Sequence, residues 1–140
     1  MVRILVVRDN SSYSNAKKSF YRAFNAIFGK VGNSASEDVI IRLVESKCLP
    51  VLFYGLEACP LNKSQTNSLQ FALTGALMKI FKTSSKDVIA ECMLMFNLQT
   101  VHDAVIRRKN NFLLKYMSST NALCNTLYAT ALGEFEGLSV

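Results

Sequence analysis

Histidine is almost missing from this chain: His102 stands alone among 140 residues. An activated serine, cysteine or threonine nucleophile needs a base within hydrogen-bond reach, and nothing in the sequence sets such a group beside His102. Its place near a helix start suits a surface or capping role. Paired cysteines are missing as well. Cys48, Cys59, Cys92 and Cys124 are widely separated, with no Cys-x-x-Cys and no close Cys/His cluster. A structural zinc site wants ligands about two to four residues apart, so that one turn pre-sets half the tetrahedron. Cys48 and Cys92 have apolar neighbours and read as small reduced core side chains. A phosphate-cradling glycine loop is also absent, because Gly29-Lys30-Val31-Gly32 has neither P-loop nor dinucleotide-fingerprint spacing. The expectation is no metal, no cofactor and no independent active site.

Long apolar runs are lacking too. Ile4 to Val7 is too short for a signal-peptide core. Cys48 to Leu61 is interrupted by Pro50, Glu57 and Pro60, and falls short of the roughly 20 residues a membrane span requires. The reading is an intracellular chain, nuclear or cytoplasmic, with no membrane partner. Charge is sparse at 19% against 50% hydrophobic residues, which excludes disorder. A chain of this length fits one domain that buries roughly 70% of its unfolded surface.

What is abundant is helical patterning. Ala16, Phe20, Ala23, Phe24, Ile27, Phe28 and Val31 recur three and four apart and form one stripe. Gly29 and Gly32 supply a stop in the left-handed conformation. Ser36 caps a second helix with Glu37 and Asp38 in its first turn and Val39, Ile40, Leu43 and Val44 on its buried side. Pro50 must kink or break that helix, and a further piece, Val51 to Ala58, is apolar on nearly every side. It is expected to be the most buried element.

Ser64 caps a third long helix reaching about Lys82, striped by Leu69, Ala72, Leu73, Ala76, Leu77 and Ile80. Ser85 caps a fourth, carrying Val88, Ile89, Cys92, Met93 and Phe96. Thr100 with Asp103 resembles a capping box that opens a fifth, through Met117, and Asn121 starts a sixth ending near Gly133. The fold class is all-α: a single compact bundle of five or six helices over residues 16–133. It is preceded by a β-like and loop segment over 1–15, with the strand signal in Val2 to Val7, and followed by a flexible tail over 134–140. Phe24, Ile27, Leu52, Leu56, Leu73 and Leu77 are the expected core.

The net charge of +6 has a plain explanation in helix dipoles, with acids at helix starts and lysines at helix ends. Two basic clusters nevertheless suit a phosphate backbone. Lys17, Lys18 and Arg22 share the first helix with Tyr21, and an aromatic beside cations suits single-stranded nucleic acid. Arg107, Arg108 and Lys109 wrap the fifth helix, with Arg108 and Lys115 on one face two turns apart. The alternative for both clusters is an ordinary solvated helix face.

Three blocks carry a family likeness: Phe20-Tyr21-x-x-Phe24-Asn25, Lys47-Cys48-Leu49-Pro50-x-Leu52-x-Tyr54-Gly55-Leu56-Glu57, and Leu77-x-Lys79-x-Phe81-Lys82. Together they resemble the region just after the polymerase palm in reverse transcriptases of non-LTR (LINE-type) retrotransposons, from about Lys17 to Cys124. The resemblance implies a helical thumb that contacts a template–primer duplex through its phosphates and packs its other side on the palm. It makes Lys17, Lys18 and Arg22 the first candidates for phosphate contact. Palm aspartates that hold two metals come as an Asp-Asp pair in that family, and this chain has none. The implied product is a catalytically inactive piece of an RNA-directed DNA polymerase with at most weak, sequence-independent affinity for RNA or DNA. The alternative is a helical protein–protein interaction module that self-associates or binds a host protein through an exposed apolar face.

Overall fold

A computed structural model describes residues 10–56 and 61–138; the β-like run from Val2 to Val7 lies outside them. The described residues are all-α, with no strand among them. Helix α1 spans Asn10–Val31. It begins earlier than the polar composition of 10–15 suggests, because Tyr13, three residues before Ala16, lies half-buried against the core and extends the stripe. Phe20 and Phe24 are buried, Ile27 and Phe28 pack beside them half-exposed, and the Phe20, Phe24 and Phe28 rings follow one another at 6.3 and 5.4 Å.

The helix stops at Gly32 by close approach and not by a left-handed turn. The Gly32 amide donates to the Phe28 carbonyl at 2.8 Å, and a Cβ on Gly32 would sit 2.4 Å from that same oxygen. Gly29 lies inside the helix facing open space.

Helix α2, Glu37–Leu43, starts at Ser36 with its acidic first turn, although the Ser36 side chain makes no capping hydrogen bond. Its buried pair is Ile40 and Ile41, while Val39 points out at 49% exposure. The break expected at Pro50 is spread over a π-helical turn, Val44–Cys48, with the Leu49 amide donating to the Val44 carbonyl. Val44 and Cys48, four residues apart, are both buried in this turn. It leaves Pro50 exposed in the first turn of α3, Leu49–Phe53, where a missing amide hydrogen costs nothing. Leu52 and Phe53 are buried in α3, and Leu56 in the turn after it, but Tyr54 is 74% exposed. This stretch is therefore buried on one side only.

Helix α4, Lys63–Phe81, is capped by Asn62 rather than Ser64. The Asn62 side chain accepts from the Gln65 amide at 2.8 Å, and the Gln65 side chain accepts from the Asn62 amide at 3.0 Å. That reciprocal box needs a Gln or Glu three residues on, which Asn62 has and Ser64 lacks. All six of its striped residues are buried. Helix α5, Lys86–Met95, starts at Ser85 as expected, with Ile89 and Met93 buried and Val88 out.

Both α4 and α5 end with left-handed residues, Lys82 (φ 53°) and Asn97 (φ 54°). The next amides, of Thr83 and Leu98, reach back to the Met78 and Met93 carbonyls at 3.1 and 2.8 Å, a Schellman closure at each end.

Helix α6, Val101–Met117, opens on Thr100, whose hydroxyl accepts from the Asp103 amide and donates to the Asp103 carboxylate at 2.7 Å. The last expected helix is two: α7, Ala122–Thr126, and α8, Tyr128–Leu138. Residues 134–138 are thus helical and not a frayed tail, because α8 runs back along α6 with Glu134 paired to Lys109 at 3.0 Å.

One contiguous core joins α1 to α5 with the first turns of α6, through Val101 and Ala104. Among the described residues only Leu113 and Ala131 are buried apolar side chains outside that cluster; they lie on α6 and α8, which pack together. Helix α6 therefore belongs to two environments: its first turns bury Val101 and Ala104 in the core, and α8 runs antiparallel along it, with Leu138 bordering a concavity beside His102, Val105 and Ile106.

Candidate nucleic-acid interface

The structure treats the two basic clusters differently. On α1, Lys17 is half-buried; its ammonium donates to the Ser68 hydroxyl of α4 at 2.7 Å and lies 5.9 Å from the Tyr13 ring centre. It ties two helices together and is not a free cation. Tyr21 packs edge-on to Phe20, at 5.6 Å and 61°, and leans on the core. Lys18 and Arg22 are exposed, four residues apart and so on one face. The α1 cluster thus presents two cations to solvent without a free aromatic beside them.

On α6 the cations gather around two concave surfaces. A groove of about 330 Å³ lies where α6 crosses α3 and the α5–α6 turn, lined by Arg107 and Arg108 together with Glu45, Leu49, Phe53 and Gln99. Arg108 is half-buried, its guanidinium 5.6 Å from the Phe53 ring centre, which holds it against the core while its charge faces the groove. Glu45, the carboxylate of this groove, is already engaged by Arg42 at 3.7 Å. Further along α6 a second concavity of about 210 Å³ is lined by Arg108, Asn111, Phe112 and Lys115. The sequence expectation that Arg108 and Lys115 share a face is met, and Arg108 borders both concavities. Lys109, the third residue of the basic run, is turned away to Glu134.

Asn111 and Phe112 are the site residues that sequence reasoning passed over. Their signal was present: Arg108 and Lys115 stand four before and three after Phe112, the spacings that share a helix face. Phe112 is half-buried, and its ring lies 6.2 Å from that of Tyr116. The Tyr116 pKa is raised above its ordinary range, first by desolvation and then by the neighbouring Cys124 thiol of α7.

His102 is exposed beside Asp103, at 3.7 Å, and the buried Cys48 thiol is raised by desolvation. No described helix is long and apolar enough to cross a membrane. The chain matches no family model, no curated protein and no solved structure.

Proposed function

We propose that the chain is a non-catalytic helical domain that grips the phosphate backbone of RNA or DNA without reading its sequence. Its role would be of the kind the LINE-type reverse-transcriptase resemblance implies for a thumb. The observation that carries the reading is the row Arg107, Arg108 and Lys115 along α6, aligned with two adjoining concavities. Cations so placed neutralise successive phosphates and release counterions, so affinity falls linearly on a logarithmic scale as salt rises. The α1 pair Lys18 and Arg22 stands as a secondary contact.

Fluorescence anisotropy with labelled oligonucleotides of unrelated sequence tests this. Similar affinities across sequences and a steep salt slope are expected, with both affinity and slope reduced in Arg107→Gln/Arg108→Gln/Lys115→Gln. A salt slope unchanged by the triple substitution overturns the assignment to α6.

A second reading, a protein–protein interaction module, rests on a different observation. Leu94 and Met95 at the end of α5 are each 82% exposed, and Phe71 and Leu123 also lie open. Large apolar side chains in water favour association. Sedimentation of the wild type against Leu94→Ser/Met95→Ser distinguishes it: a self-associating chain becomes smaller on substitution, and a monomer that binds no hydrophobic dye removes this reading.

A further inference from the structure

Phe112 is flanked on one helical face by Arg108 and Lys115, and these three with Asn111 line a single concavity. The two cations are seven residues apart, about 10 Å along the axis, with the ring between them. Phe112 lies outside the main core cluster, keeps part of its ring in solvent, and is backed by Tyr116. An aromatic face between two cations matches the way a single strand is held: bases stack on the ring while phosphates sit on the charges. A duplex hides the faces of its bases, so it could use the cations and not the ring.

We infer that this concavity is a single-strand site, in which one base stacks on Phe112, its flanking phosphates lie on Arg108 and Lys115, and the exposed Asn111 amide reaches the base edge or sugar. The inference rests on the nucleic-acid reading and sharpens it from phosphate grip to single-strand preference. Stacking surfaces and phosphates are common to RNA and DNA, so the site takes both.

The test is anisotropy on the full chain with oligo-U, oligo-dT and a mixed-sequence duplex of one length at low salt. Oligo-U and oligo-dT should bind within a few fold of each other and tighter than the duplex. Phe112→Leu should weaken single-strand binding about tenfold, leave duplex binding in place, and keep the wild-type circular dichroism and melting curve. Phe112→Tyr should retain single-strand affinity, which separates loss of stacking from loss of fold. Arg108→Gln should weaken single strand and duplex alike. If Phe112→Leu leaves single-strand binding unchanged, or weakens the duplex equally, the single-strand site is wrong while backbone binding stands. If the wild type binds none of the three probes, the nucleic-acid reading fails with it.

Discussion

Helices α4 and α8 make an instructive pair. By composition α8 is the more apolar, yet α4 buries six side chains, from Leu69 to Ile80, and α8 buries one, Ala131. What differs is company. Helix α4 is enclosed by α1, α2, α5 and α6, whereas α8 packs mainly on α6 and α7. Apolar content sets how much surface is available to hide, and the number of neighbouring helices sets how much is hidden. The contrast extends to the two halves of α6. The start is locked into the core by Val101 and Ala104, while the cations run from Arg107 and Arg108 at mid-helix to Lys115, past Phe112, with Leu113 as the buried contact there. The Phe112–Lys115 part of the candidate interface thus stands where α6 is less enclosed and side chains keep access to solvent.

The comparison breaks if the two regions respond alike to truncation. Leu52→Ala in the main core is expected to cost about 2–5 kcal/mol and to lower the midpoint of global denaturant unfolding. A loss below about 0.5 kcal/mol would show that Leu52 is not packed as its full burial requires. Leu113→Ala should cost about 2 kcal/mol, felt first by the α6–α8 pair. Hydrogen exchange should then accelerate at α8 amides while α4 amides keep their protection. Uniform acceleration would merge the two regions into one cooperative unit.

Glycine replacements sharpen the contrast with smaller effects of opposite sign. Gly32→Ala forces a Cβ against the Phe28 carbonyl and should destabilise by about 1–3 kcal/mol. Gly133→Ala, in open space inside α8, should stabilise by about 0.5–1 kcal/mol in thermal melts. Lys109→Gln, which breaks a partly exposed pair, should cost less than about 1 kcal/mol and lose its effect at high salt.

Thiol chemistry gives a last, non-destructive check. Cys48 is buried with its pKa raised, so the folded state favours the neutral thiol. That contribution is fully present below the ordinary thiol pKa and is lost as pH rises through the higher folded value. Ellman's reagent near neutral pH should therefore modify Cys124 well before Cys48. Prompt reaction of Cys48 would mean that the core opens readily.

Much of the fold was legible because helices announce themselves locally. The α4 stripe, the Ser85 start of α5 and the Thr100 start of α6 follow from spacing and capping chemistry within four residues. The errors have equally local causes. Asn62 with Gln65 is a better box than Ser64 can make, and Lys82 and Asn97 adopt left-handed stops that glycine usually takes. At the candidate site, the shared face of Arg108 and Lys115 could be read from their numbering, and so could the place of Phe112 between them.

Charge alone did not distinguish Lys17 from Arg108. In sequence both are cations near an aromatic; in the fold one is spent on Ser68 and the other borders two concavities. The Gln70 side chain of α4 accepts from the Val101 amide at 2.9 Å, closing the start of α6 from thirty-one residues away. The sequence by itself determined the all-α class, the starts of α2, α5, α6 and α7 and most residues of the main core, though not Ile27 or Val39, because 3.6-residue periodicity and caps act over one or two turns. Only the tertiary structure decided which cations stay free, which helix lies half-uncovered and where α6 leaves the core, because those outcomes depend on which distant side chain arrives to use up a donor, a ring face or an apolar surface.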